Sequence, residues 1–218
     1  MTVSNTGHLD RARELSAGAP RPLLSRTAEN RLGQRHHEIL EHIESLFMER
    51  GFADITIGEI AARVGCSRRT LYEIAPSKEQ LVLVVLDRFL NKKGRSALLA
   101  IDHDDPVITQ LRSYLTGGLE FQLKATLSED LADDAPARRL VDRHYRFAMT
   151  VVERLVRLGV DRGEFRQVDA AVVAATVAGA SLYLGQPEIV ADIGLPVGEL
   201  VDQMLDFVLA SLLHRTEP

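Results

Sequence analysis

Residues 56–72 read TIGEIAARVGCSRRTLY, and the way this stretch divides into elements decides the fold. Thr56 stands three residues before Glu59, the spacing at which a hydroxyl and a carboxylate reciprocally satisfy the first free amides of a helix. Ile57, Ile60, Ala61 and Val64 then recur on one face, and Gly65 supplies a stop. After a tight turn Ser67 is placed to cap a second short helix carrying Arg68, Arg69, Thr70, Leu71 and Tyr72. Pro76 forbids its continuation, because proline lacks the amide and clashes with the preceding turn. Ser77 and Gln80 repeat the capping signature and open a long helix through LVLVVLDRFLNKKGR, residues 81–95.

Upstream, Ile39, Leu40, Ile43, Leu46 and Phe47 recur at helical spacing from Gln34, and Gly51 falls where that helix would end. Two short helices joined by a glycine turn form a helix-turn-helix, whose second helix enters the DNA major groove. The start of such a helix favours phosphate, and arginine can grip O6 and N7 of guanine bidentately. Adjacent Arg68 and Arg69 would therefore divide base reading and phosphate clamping. Double-stranded DNA is the expected target.

Further downstream the spacing predicts helices at roughly 106–127, 136–160, 167–185 and 197–214. Asp105-Pro106 and Ala135-Pro136 look like helix starts, and no β-alternation or internal repeat stands out. An all-α protein follows, with a flexible arm at 1–33, a reader domain at 34–80 and a larger helical domain at 81–218. The arm is mildly basic: between positions 8 and 35, arginines 11, 13, 21, 26, 31 and 35 face Asp10, Glu14 and Glu29.

Of 218 residues, 45% are hydrophobic and 26% charged, enough apolar material for a core. With 26 Lys and Arg against 31 Asp and Glu, the net charge of −5 means that a polyanion must be met by a local patch. The one cysteine, Cys66, offers no internal disulfide, and the first thirty residues lack the apolar run of a secretory signal. Together these suggest a cytoplasmic address. The uncharged run Ala170 to Pro187 is too rich in Ala, Gly, Thr and Ser for a membrane span and reads as a buried small-residue helix.

The stretch TIGEIAARVGCSRRTLY, followed by PSKEQL, resembles the TetR family of one-component transcriptional regulators over residues 34–81. The resemblance implies that Thr56 and Tyr72 contact phosphates, that Ser67, Arg68, Arg69 and Thr70 face the groove, and that Lys78 grips backbone phosphate. The segment YEIAP departs from the family's aromatic-rich pattern: Ala75 replaces a phenylalanine, and Glu73 brings an anion near the phosphates. Arg69 stands where a small residue is common and adds a compensating cation. The implied protein is a homodimeric repressor on a pseudopalindromic operator, released by a small-molecule effector.

For the dimer interface the sequence offers Ala171, Ala175 and Gly179, spaced for close helix approach, and the stripe Leu200, Val201, Met204, Leu205, Val208 and Leu212. For the effector pocket it offers Tyr114, Phe121, Gln122, His144, Tyr145 and Met149. Asp102, His103, Asp104 and Asp105 in IDHDDP are the start of a competing metal-enzyme reading, but Asp at a helix boundary is expected as a cap. His37 with Glu41 reads as a surface pair. No phosphate loop, nucleophile elbow or zinc-protease motif occurs, so neither catalysis nor a cofactor is expected. A helical interaction module of the same fold without DNA binding is the other alternative.

Overall fold

A computed structural model describes residues 11–119 and 125–214, and every regular element in them is a helix. These are α1 (residues 11–16), α2 (Arg26–Arg31), α3 (Gln34–Arg50), α4 (Ile57–Val64), α5 (Arg68–Ile74) and α6 (Lys78–Leu99). There follow α7 (Val107–Leu119), α8 (Ala125–Asp133), α9 (Ala135–Asp161), α10 (Ala170–Leu184), α11 (Pro187–Ile193) and α12 (Val197–Leu212). The described residues fall into two units, 20–92 with 125–144, and 11–19 with 93–119 and 145–214.

In the first unit the apolar spacing of α3 becomes its inward face: Ile39, Ile43 and Phe47 are fully buried. α3 packs on α4, α4 on α5, and α8 on α3. Ile60, Leu71 and Leu81 are also fully buried, so each of the three capped helices contributes to the interior. Gly65 ends α4 at φ 67°, a left-handed conformation that L side chains adopt only with strain, and its amide bonds back to Ala61 O. The sharp turn of the helix-turn-helix depends on that conformation.

In the second unit α7, α9, α10 and α12 enclose a core that includes Leu111, Leu115, Val152, Leu155, Phe165 and Leu205. Phe165 lies so close to α9 that a Cβ at Gly159 would fall 2.2 Å from its ring. The chain after α9 is pinned to the end of α12, with Arg166 donating from Nε to Ser211 O at 2.6 Å. No single helix among the described residues is long and apolar enough to cross a membrane.

Several sequence expectations are revised here. From residue 11 the segment expected as a free arm is folded: Leu15 is buried, and Arg154 Nη1 donates to the carbonyls of Glu14, Leu15 and Ala17 within 3.0 Å. Leu23 N–H donates to the buried Asp87 at 2.8 Å, tying the next stretch to α6. Of the helix expected at 106–127, the described residues show α7 to Leu119 and α8 from Ala125, which runs on to Asp133 and belongs to the other unit. α10 begins three residues later than expected, because Asp169 accepts from the amides of Ala171 and Val172 and sets the start. It is also less buried than expected, covering only Ala170, Ala174 and Val177.

Candidate nucleic-acid interface

The reading helix α5 is short, and its two faces differ in kind. Leu71 and Ile74 turn inward with the buried Ala75 behind them, while Ser67, Arg68, Arg69, Tyr72 and Glu73 are exposed. Ser67 Oγ accepts from Thr70 N–H at 3.1 Å and lies 2.9 Å from Thr70 Oγ1, so the cap expected from sequence is made. Ala75 fills the position of the larger residue with 3% exposure, so the loss of volume leaves the helix packed.

At the start of α4 the expected capping box is complete. Thr56 N–H donates to Glu59 Oε2 at 2.8 Å, and Glu59 N–H donates to Thr56 Oγ1 at 3.2 Å. The Thr56 hydroxyl also donates to Glu59 at 2.7 Å, so a phosphate would compete for that proton. The Thr56 amide and hydroxyl hold the Glu59 carboxyl below its ordinary range. A depressed folded-state value supports folding above the unfolded pKa, and this support is lost as pH falls through the folded one.

The two arginines take different paths. A Cβ at Gly58 would fall 2.5 Å from Arg68 Nη2, so the Arg68 guanidinium lies over the first turn of α4, close in sequence to Thr56. Arg69 projects outward, with its side chain 89% exposed and Nε 3.3 Å from Glu73 Oε1. Glu73 also faces His36 Nε2 at 3.4 Å. The anion that the sequence sets beside α5 is thus partly offset by Arg69.

Lys78, at the start of α6, donates from Nζ to Ala53 O at 2.6 Å. An ammonium has three donors, so two remain for phosphate oxygens. Sequence reasoning missed two residues that set this geometry. Arg35 Nη2 donates to Gly65 O at 3.2 Å and buttresses the turn, and Asp130 of α8 accepts from the amides of Phe52 and Ala53. Both act across long sequence separations and leave no local pattern. Cys66, inside the turn, is half-buried, and burial pushes its thiol up against a weaker opposing pull from Arg35. A group so placed is a poor thiolate.

Of the residues expected to line an effector pocket, Tyr114, Tyr145 and Met149 lie in the second unit. Tyr114 is a core residue whose hydroxyl is 3.4 Å from Ala148 O, Tyr145 donates to Ala178 O at 2.9 Å, and Met149 packs against the same core. Burial pushes both phenols above their ordinary range. His144 belongs to the other unit, where its Nε2 is 3.3 Å from Asp87 Oδ1 and Arg143 adds a contact at 3.5 Å. Phe121 and Gln122 lie outside the described residues. A cleft of about 430 Å³ in the reader unit is lined by Glu79, Gln80, Leu83, Asp133, Asp134 and Pro136, none of them expected.

The interface residues divide. Ala171, Ala175 and Gly179 are exposed along α10, and a Cβ at Gly179 would meet nothing within 4 Å. Leu200, Met204, Leu205, Val208 and Leu212 are instead buried within the chain, the last four in its core, because this face of α12 packs against α7 and α10. On its outer side α12 exposes Phe207, at 79%.

In the IDHDDP segment Asp102 Oδ1 accepts from Asp104 N–H at 3.0 Å, and Gln110 Nε2 donates to Asp105 O at 2.7 Å, the bonding of a turn. Among the described residues no group of three or more His, Cys, Asp or Glu is poised to hold a metal. His37 sits 3.8 Å from Glu29 and 3.4 Å from Arg88 rather than pairing with Glu41.

Residues 39–85, which contain this arrangement, match the family model of bacterial regulatory proteins, tetR family. The HTH-type transcriptional regulator EthR of Mycobacterium tuberculosis is 40% identical over 67 residues, 31% of this chain and 31% of that protein. The chain therefore covers about a third of the length of that relative. In fold, a putative transcriptional regulator from Saccharomonospora viridis, solved in complex with choline, superposes with TM-score 0.68 at 21% identity. The overlay covers 84% of this chain and 99% of that one. AibR, solved in complex with isovaleryl coenzyme A and operator DNA, superposes with TM-score 0.61 at 20% identity, over 83% of this chain and 100% of that one. Residues 39–85 thus carry a domain of the tetR family of bacterial regulatory proteins, set in an all-helical fold common to these structures.

Proposed function

We propose that the protein is a cytoplasmic transcriptional repressor that binds a pseudopalindromic operator as a homodimer and is released by a small-molecule effector. The observation that carries this reading is the pair Arg68 and Arg69 at the exposed start of a doubly capped α5, with Thr56, Tyr72 and Lys78 exposed or half-exposed around it. Such a helix presents base-reading groups while flanking donors take phosphates. Support for an effector comes from fold neighbours solved with choline and with isovaleryl coenzyme A. An acyl or quaternary ammonium compound is the class to screen first. Support for two-fold assembly is the exposed apolar set Val172, Leu182, Tyr183 and Phe207 on α10 and α12, which pack on each other. One helix-turn-helix reads a single half-site weakly, so a second copy is needed.

The test is titration of the full chain against a random-sequence duplex pool, with enrichment, at two salt concentrations. Enriched duplexes with two-fold symmetric half-sites, and affinity falling steeply with salt, are expected, because phosphate contacts release counterions. No enrichment by a folded dimer would refute the reading.

Glu73 provides a further check. Its carboxylate lies beside Arg69 on the face meant for phosphate. Glu73→Gln removes that repulsion and frees the guanidinium, so duplex binding should tighten about 3- to 10-fold at low salt, on the scale of one exposed charge interaction. The gain should shrink as salt is raised.

A further inference from the structure

The turn between α3 and α4 is held from two sides by residues far from it in sequence. Gly51 leaves α3 at φ 76°, and the next two amides, of Phe52 and Ala53, both point at one carboxylate oxygen, Asp130 Oδ2 of α8. The Ala53 bond is 3.1 Å long. The approach is close enough that a Cβ on Gly51 would fall 2.3 Å from the same oxygen. Phe52 is anchored below, 3% exposed with its ring centroid 5.9 Å from that of Phe47. On the other side Ala53 O accepts from Lys78 at 2.6 Å. One residue, Ala53, is thus gripped at its amide by a carboxylate and at its carbonyl by an ammonium.

Three residues beyond Ala53 stands Thr56, the cap of α4. Both Thr56 and Lys78 are groups that the DNA reading assigns to phosphate, so the turn sets the position of two phosphate contacts together. A carboxylate bonding two amides is a charge-assisted contact, stronger than neutral hydrogen bonds. Its charge, however, works against nucleic acid, and an acid on this side of the reader would on electrostatic grounds alone weaken binding. We propose that Asp130 is a positioning residue for DNA binding, a latch by which α8 fixes the turn that carries Thr56 and holds Lys78. The proposal rests on the DNA-binding reading above. It makes α8 the lever of the reader: a change that draws Asp130 from the two amides loosens the phosphate contacts without touching α5.

The test compares Asp130→Ala and Asp130→Asn with wild type in the full chain. Amide hydrogen exchange at Phe52 and Ala53 is read without DNA, and affinity is read on duplexes that wild type enriches from a random pool. Asp130→Ala should speed exchange at both amides about tenfold and weaken duplex binding about tenfold, since the amides lose their acceptor. Asp130→Asn keeps an acceptor oxygen while discarding the charge, and should restore binding to within about threefold of wild type. Tighter binding by both variants would mean that only the charge matters, and unchanged exchange in Asp130→Ala would mean that there is no latch; either overturns the proposal. A wild type that enriches no duplex refutes the DNA reading and the positioning role with it. That outcome is distinct from failure of the proposal alone, in which wild type binds and Asp130→Ala binds as well or better.

Discussion

Replacing both reading arginines, Arg68→Ala/Arg69→Ala, should lower affinity for an enriched duplex about 100-fold while leaving the thermal transition within a degree or two of wild type. The stability half of this expectation follows from exposure: neither side chain contributes to the interior, whose α5 members are Leu71 and Ile74. The affinity half follows from the worth of a good arginine contact, roughly 1–3 kcal/mol each. Because Arg69 must leave Glu73 to reach DNA, the sum is taken near the lower end, about 3 kcal/mol.

The single substitutions should separate by kind. Arg68 lies over the first turn of α4, close in sequence to the Thr56 cap proposed to meet phosphate, so Arg68→Ala should weaken all duplexes alike and flatten the salt dependence by about one charge. Arg69 projects clear of the protein, so Arg69→Ala should chiefly relax sequence preference, visible as a broader set of enriched duplexes. Equal losses on enriched and scrambled duplexes for both variants would remove base reading from α5.

What the sequence revealed and what it hid divide along contact range. The reader was legible because its signals are local: Thr56 with Glu59, Ser67 with Thr70, and a glycine at the one turn needing φ 67° are all settled within four residues. The folded N-terminal segment was not, since its anchor Arg154 is 137 to 140 positions away and arginines 11 and 13 alone look solvated. α8 was absorbed into its predecessor for the same reason. Its place is set by Asp130, 77 and 78 positions from the amides that it holds, and helical periodicity registers nothing of that. On α12 the sequence left the direction open. Both of its sides carry large apolar residues, Leu205 and Val208 on one and Phe207 on the other, and period alone does not say which side meets the chain's own core.

That revised direction leads to the second large expected effect, a pair of substitutions two residues apart that should fail in different ways. Leu205 is fully buried in the core that α12 shares with α7, α9 and α10, so Leu205→Ala should cost about 3 kcal/mol of folding stability through lost burial and the cavity left behind. Phe207 is 79% exposed, so Phe207→Glu should leave the folded chain intact. If a second copy covers this face, each copy contributes Phe207 to the interface. A loss of roughly 2 kcal/mol per copy, the scale of an interface anchor, then gives ~4 kcal/mol per dimer, about a thousandfold in the dissociation constant. Sedimentation should show Phe207→Glu as a folded monomer at concentrations where wild type is dimeric, and its DNA binding should fall with assembly. The stripe Leu200, Met204, Leu205, Val208 and Leu212 would be the interface after all if Leu205→Ala dissociated the dimer at unchanged stability while Phe207→Glu stayed dimeric. With α10 presenting Ala171, Ala175 and Gly179 outward beside the larger Val172, and α12 presenting Phe207, a two-fold axis would place each Phe207 ring on the other copy's stripe of small residues.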